Sequence, residues 1–129
     1  MITFTNLCSA SEIGANSYLI ELDGTRLVLD VGVHPKKAGN ASKPQLNLIG
    51  DAGVDAIFVS HAHLDHIGAL PLLQEAYPRA EVIMTRGTAD VGQAMLHNSV
   101  NVMTAQRMFD GIVEYPFFTH GELERAAMQ

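Results

Sequence analysis

An α/β fold is predicted for this chain of 129 residues by three features of its sequence. The first thirty residues fall into short apolar or alternating stretches of strand length. A continuous apolar run at 56–60 is followed at once by residues at helical spacing. A further strand-like and then helix-like pair comes after it, giving the order strands, then strand, helix, strand, helix, with short crossovers. The length is that of one ordinary domain and is enough to bury a core.

The elements follow in order. Residues 2–7 alternate apolar and polar, as a half-buried strand does. Residues 9–17 are small, polar and glycine-bearing, a loop. Residues 17–22 and 26–31 are apolar runs joined by Asp23-Gly24, a strong hairpin signal. Residues 34–44 hold the densest lysines together with proline and glycine, and read as a loop with a short helix expected near 44–49. The run at 56–60 fits a strand buried on both faces. Ile67, Leu70, Leu73 and Tyr77 define a helix, and Pro71 is tolerated only in its first turns, so the helix starts close to residues 61–66. Residues 81–85 are the next strand. Thr88 is expected to cap a helix reaching about Met103, with Asp90 favourably placed in its first turn. Thr119-His120-Gly121-Glu122 matches a capping box, so a last helix starts there. There is no internal repeat and no low-complexity segment.

Composition narrows the function classes. The chain is 47% apolar, as folded globular domains are. Its formal charge of −6 lacks the basic footprint of nucleic-acid binders. A basic groove would require local clustering, another domain or a partner chain, and a bound dication would offset part of the acidity. No apolar run has membrane-spanning length, and the N-terminus lacks the pattern of a signal peptide. Cys8 is the only cysteine and cannot form an internal disulfide, which fits a reducing, cytoplasmic compartment. In its isolation it reads as a small strand or loop residue.

Three of the six histidines lie in His61-Ala62-His63-Leu64-Asp65-His66. If the strand frays into a loop there, His61 and His63 can converge on one ion, and Asp65 and His66 can serve a neighbouring one. Imidazole with carboxylate suits Zn²⁺, and also Mn²⁺ or Fe. Gly68 lets backbone pass close to the site. One histidine alone is more often a surface or core residue. His-x-His-x-Asp-His at a strand end, with a helix behind it, has ligand spacing in the place where functional residues concentrate, and reads as a metal site. His97 falls mid-helix and reads as a packing or surface residue. His120 lies in the capping-box segment and is expected to be exposed. His34 is a lone loop histidine that could approach the site from beyond Asp30.

These residues resemble the signature of the metallo-β-lactamase fold superfamily. The stretch "LVLDVGVHP" is similar to that superfamily's earlier strand ending in an aspartate, here Asp30. "SEIGANSYLIELDGTRLVLDVGVHP", "VIMTRGTADVGQAMLHNS" and "FFTHGELERAAM" resemble segments of the β-CASP RNA-processing nucleases, a group that includes ribonuclease J and the cleavage-factor endonucleases. The resemblance implies two zinc ions, with His61 and His63 on one and Asp65 and His66 on the other. It implies that Asp65 contacts the attacking water and acts in proton transfer, that Asp30 supports the ligand histidines from behind, and that RNA is the substrate of the whole protein.

The family uses further ligands downstream, from later parts of the domain and beyond an inserted cap domain. Residues 1–129 are therefore expected to be the N-terminal part of a metallo-β-lactamase domain: half of an αββα sandwich, a mixed sheet with helices packed on one face. Apolar faces and strand edges would stand uncovered, so self-association, as in a symmetric dimer, is expected. Weak or absent metal and no efficient catalysis are expected of this segment alone. Two other readings stay open: a hydrolase of a small ester, thioester or lactone on the same fold, and a non-catalytic structural module.

Overall fold

Alternating residues near the N-terminus build a hairpin-based sheet. The computed structural model describes residues 1–8 and 14–127; residues 9–13 of the expected loop lie outside them. Strands β1 (Ile2–Asn6), β2 (Tyr18–Leu22) and β3 (Thr25–Leu29) pair antiparallel. Asp23 and Gly24 both take positive φ, 49° and 92°, as the tight turn between β2 and β3 requires. Strands β4 (Ala56–Phe58) and β5 (Glu81–Ile83) add parallel to β3, giving a mixed sheet in the order β1-β2-β3-β4-β5.

The register explains why the sheet has one covered face. Thr5, Leu19, Val28, Ile57 and Val82 stand in one row across the five strands. Leu19, Val28 and Ile57 are buried against residues of four helices: α1 (Leu64–Ile67), α2 (Leu70–Ala76), α3 (Arg86–Asp110) and α4 (His120–Ala127). Ile67, Leu73, Leu96, Val100 and Leu123 are their main contributions to that core. The neighbouring rows face the other way, and among the described residues no helix covers them. Ile2 is 72% exposed, Phe4 62%, Ile83 42%, Leu22 38% and Phe58 36%. The expectation of a strand at 56–60 buried on both faces therefore holds for Ile57 and fails for Phe58, because the helices all lie on one side.

Four local expectations are corrected. The helix expected from Ile67 is two pieces, α1 beginning already at Leu64 and α2 at Leu70, with Ala69 between them at φ −108° and ψ 6°. Pro71 sits in the first turn of α2, where its missing N–H has no helical partner to lose. The cap of α3 is Thr85, whose Oγ1 accepts from Thr88 N at 3.1 Å, so Asp90 falls beyond the first turn. That helix runs past Met103 to Asp110, because nothing in 104–110 breaks it until Gly111 takes the left-handed conformation at φ 69°. The helix expected near 44–49 is one 3₁₀ turn at Leu46–Leu48. The cap of α4 is as expected, with Glu122 N donating to Thr119 Oγ1 at 3.2 Å. Among the described residues no helix is long and apolar enough to cross a membrane.

Candidate metal centre

The histidine motif starts where β4 ends. Beyond Phe58 the chain keeps one more sheet bond, Val59 N to Ile83 O at 3.0 Å, and then turns into α1 with His63 as its N-cap residue. His61 and His63 therefore lie on the connection, while Asp65 and His66 lie in the first turn of a helix. One ligand atom from each of His61, His63 and Asp65 falls within 4.8 Å of the others. The His66 ring lies 3.9 Å from that of His61, centroid to centroid, and its Nε2 is 3.6 Å from Asp65 Oδ2. His66 is thus beside the group of three but not part of it. This donor set, two imidazoles and a carboxylate converging on one point, is the chemistry a zinc-type dication accepts.

One buried carboxylate orients two of these rings. Asp30 is 7% exposed and stands just past the end of β3. Its Oδ2 accepts from His66 Nδ1 at 2.7 Å and from Ser60 Oγ at 2.7 Å, and its Oδ1 accepts from Ser60 N at 2.7 Å. The Ser60 hydroxyl has a single hydrogen, and it goes to Asp30. The 3.0 Å contact between Ser60 Oγ and His61 Nδ1 must then be a bond donated by the imidazole. Both His61 and His66 are thereby assigned a proton on Nδ1 and a lone pair on Nε2. Asp30 holds this position at φ 60°, a left-handed conformation that costs a non-glycine residue about 1–2 kcal/mol. Aspartate is among the residues that tolerate it best.

The segment after Asp30 is laced to α1 through the backbone. Val31 N donates to His66 O at 2.8 Å, Val33 N to Leu64 O at 2.9 Å, and Ala69 N to Val31 O at 2.9 Å. Two glycines make this approach possible. A Cβ on Gly32 would lie 1.8 Å from Asp65 O, and one on Gly68 would lie 2.6 Å from Val33 Cγ2.

The remaining histidines fall elsewhere. His34 is 6% exposed, and its Nδ1 accepts from Lys36 N at 3.1 Å within its own loop. It does not join the group of three. His97 of α3 and His120 of α4 meet each other, with Nδ1 atoms 2.6 Å apart. Two contributors to the centre, Ser60 and Asn16, escape a reading of the sequence by ligand type. Ser60 carried one signal, its place at the end of an apolar run directly before the motif. Asn16 carried none.

The family model of the metallo-beta-lactamase superfamily matches residues 11–97. The chain belongs to the metallo-beta-lactamase superfamily. Its relatives include cleavage and polyadenylation specificity factor 73 of Drosophila melanogaster, 33% identical over 107 residues, which are 80% of this chain and 16% of that protein. The endoribonuclease ysh1 of Schizosaccharomyces pombe is 34% identical over 103 residues, 79% of this chain and 14% of that protein. The chain thus spans about one-sixth or less of the length of these relatives. An archaeal metallo-beta-lactamase superfamily protein from Sulfolobus tokodaii superposes with a TM-score of 0.52 at 23% identity, over 83% of this chain and 41% of that one. That likeness shows the metallo-beta-lactamase fold, with its mixed sheet and flanking helices, in agreement with the sequence reading.

Proposed function

We propose that residues 1–129 form the N-terminal part of the metallo-β-lactamase domain of a metal-dependent phosphodiesterase that cleaves RNA, working in the cytoplasm. The observation that carries this reading is the convergence of His61, His63 and Asp65 within 4.8 Å at the end of β4. Support for RNA as substrate comes from relatives that are themselves endoribonucleases. In this reading two zinc ions bind, His61 and His63 holding one and Asp65 and His66 the other. Bound ions of this kind supply positive charge where a phosphodiester develops negative charge.

The chain's own residues set up that chemistry. Asp30 fixes the Nδ1 protons of His66 and, through Ser60, of His61, so each ring carries a lone pair and not a proton on Nε2. The Asp65 side chain is 28% exposed, open enough to reach a reacting water and accept its proton. Further ligands and a basic RNA surface would come from the rest of the domain, which would also cover the open sheet face of Ile2, Phe4, Leu22, Phe58 and Ile83. Without that cover the isolated segment would self-associate through this face, a state that sedimentation at several concentrations reads directly.

The test is cleavage of end-labelled single-stranded RNA by the full-length protein. Chelator-sensitive cleavage that disappears in His63→Ala is the expected result. Intact RNA together with hydrolysis of a thioester or lactone would favour the small-ester reading. No hydrolysis of either by metal-loaded protein would favour the structural module.

A further inference from the structure

Asn16 is 8% exposed, and a buried carboxamide must spend its donors on acceptors. It lies 49 residues before Asp65, in the approach to β2, yet its carboxamide is directed at the motif. Its Nδ2 donates to Asp65 O at 3.0 Å, and its backbone N, which donates to Gly14 O at 2.7 Å, shares its hydrogen with the same Asp65 carbonyl at 3.1 Å. Its own carbonyl accepts from Gly32 N at 3.0 Å. The orientation of the amide follows from its neighbours. A carbonyl can only accept, so the NH₂ group must face Asp65 O; turned over, two oxygens would meet. The second amide hydrogen is then left for His66 Nε2, 3.3 Å away. That nitrogen can accept, because the His66 proton is on Nδ1, committed to Asp30.

We propose that Asn16 is a positioning residue of the Asp65–His66 turn: its carboxamide grips the Asp65 carbonyl and steers the Nε2 face of His66. Asp65 and His66 are adjacent, so one grip on the peptide between them fixes the direction in which both side chains leave the helix. Asp30 holds His66 from the Nδ1 side and Asn16 from the Nε2 side, leaving the ring little freedom to rotate. The bond to His66 Nε2 is the longer of the two and shares the lone pair that an ion would take. Loading therefore exchanges this bond and keeps the one to Asp65 O. The part of the inference that concerns loading rests on the metal-centre reading; the grip on the turn does not.

The experiment compares the full-length wild-type protein with Asn16→Leu, which keeps the branched shape and removes both donors, and with Asn16→Ala. Folding is checked by far-UV circular dichroism. The first readout is the ¹⁵N resonance of His66 Nε2 in metal-free protein, and the second is Co²⁺ affinity by chelator competition. In both variants the Nε2 resonance should move toward that of an imidazole nitrogen without a donor, while Nδ1 stays protonated. Affinity should fall about 10–100-fold, the usual loss when a group orienting a ligand is removed. An unmoved Nε2 resonance in a folded variant would overturn the proposal, as would unchanged affinity. If neither variant folds, the wild-type spectrum decides, since a proton on Nε2 is incompatible with the Asn16 bond. A wild-type chain that binds no Co²⁺, but whose Nε2 resonance moves in the variants, would sink the metal centre and leave the grip standing.

Discussion

Two groups of histidines in this protein use the same ring chemistry to opposite ends. In the His97–His120 pair the rings are nearly parallel, at 10°, with centroids 4.9 Å and Nδ1 atoms 2.6 Å apart. The first separation exceeds the second by about two ring radii, so the rings lie end to end and their near nitrogens point straight at each other, as in one N–H···N bond. The far nitrogens are engaged too. His120 Nε2 lies 2.9 Å from Asn101 Oδ1 and must donate to it, and His97 Nε2 lies 3.2 Å from Gln93 Nε2 and accepts from it. That closed chain joins α3 to α4 and leaves no lone pair over. At the motif, His61 and His66 spend their Nδ1 protons on Ser60 and Asp30 and keep lone pairs on Nε2; that of His66 lies 3.6 Å from Asp65 Oδ2 and meets only the long 3.3 Å contact from Asn16. A histidine cluster is therefore a candidate metal centre when its orienting bonds are made on one side and its lone pairs converge on the other. Proximity alone does not make one.

The sharpest way to break this comparison is to remove a converging ligand. His63→Ala should abolish saturable Co²⁺ or Zn²⁺ binding, seen by chelator competition, and barely change the thermal midpoint, since His63 is exposed. Removing the orienting carboxylate should act more gently on the metal and more strongly on the fold. Asp30→Ala leaves Ser60 N without its acceptor and His66 Nδ1 without its partner. Affinity should drop about 10–100-fold, as for other groups that orient metal histidines. Chemical denaturation should show a loss of about 2–3 kcal/mol, the range for stripping partners from buried or charged donors.

Gly32→Ala pushes a methyl group into Asp65 O and should cost about 1–3 kcal/mol by the same measurement, as overpacking does. The smallest effect is expected at the closed pair. His97→Ala should cost about 1 kcal/mol, one hydrogen-bonded link, and leave metal affinity unchanged. Metal affinity that fell in His97→Ala as it does in Asp30→Ala would erase the distinction between the two groups.

Much of this was legible in the sequence where the cause is local. The Asp23-Gly24 turn could be read because few residue pairs accept positive φ in succession. The motif could be read because four candidate ligands fall within six positions at the end of an apolar run. What escaped depends on distant neighbours or on competing local choices. Thr85 and Thr88 are equally good caps by type, and the helix begins at the earlier one because β5 ends at Ile83. The break falls at Ala69, whose N–H goes to the distant Val31 O and not to the helical acceptor Asp65 O. Phe58 reads as core in any apolar run, and only the one-sided placement of the helices exposes it. Asn16 is an ordinary polar loop residue until the fold brings Asp65 to it.

The central claim is that lone pairs at residues 61–66 converge on a dication while those of His97 and His120 do not. Competitive titration of the metal-free full-length protein with Co²⁺, run side by side on wild type, His63→Ala and His97→Ala, tests it most directly. Saturable binding by wild type and His97→Ala that is lost in His63→Ala is the predicted result. Binding that survives in His63→Ala, or no saturable binding in any of the three, would contradict it.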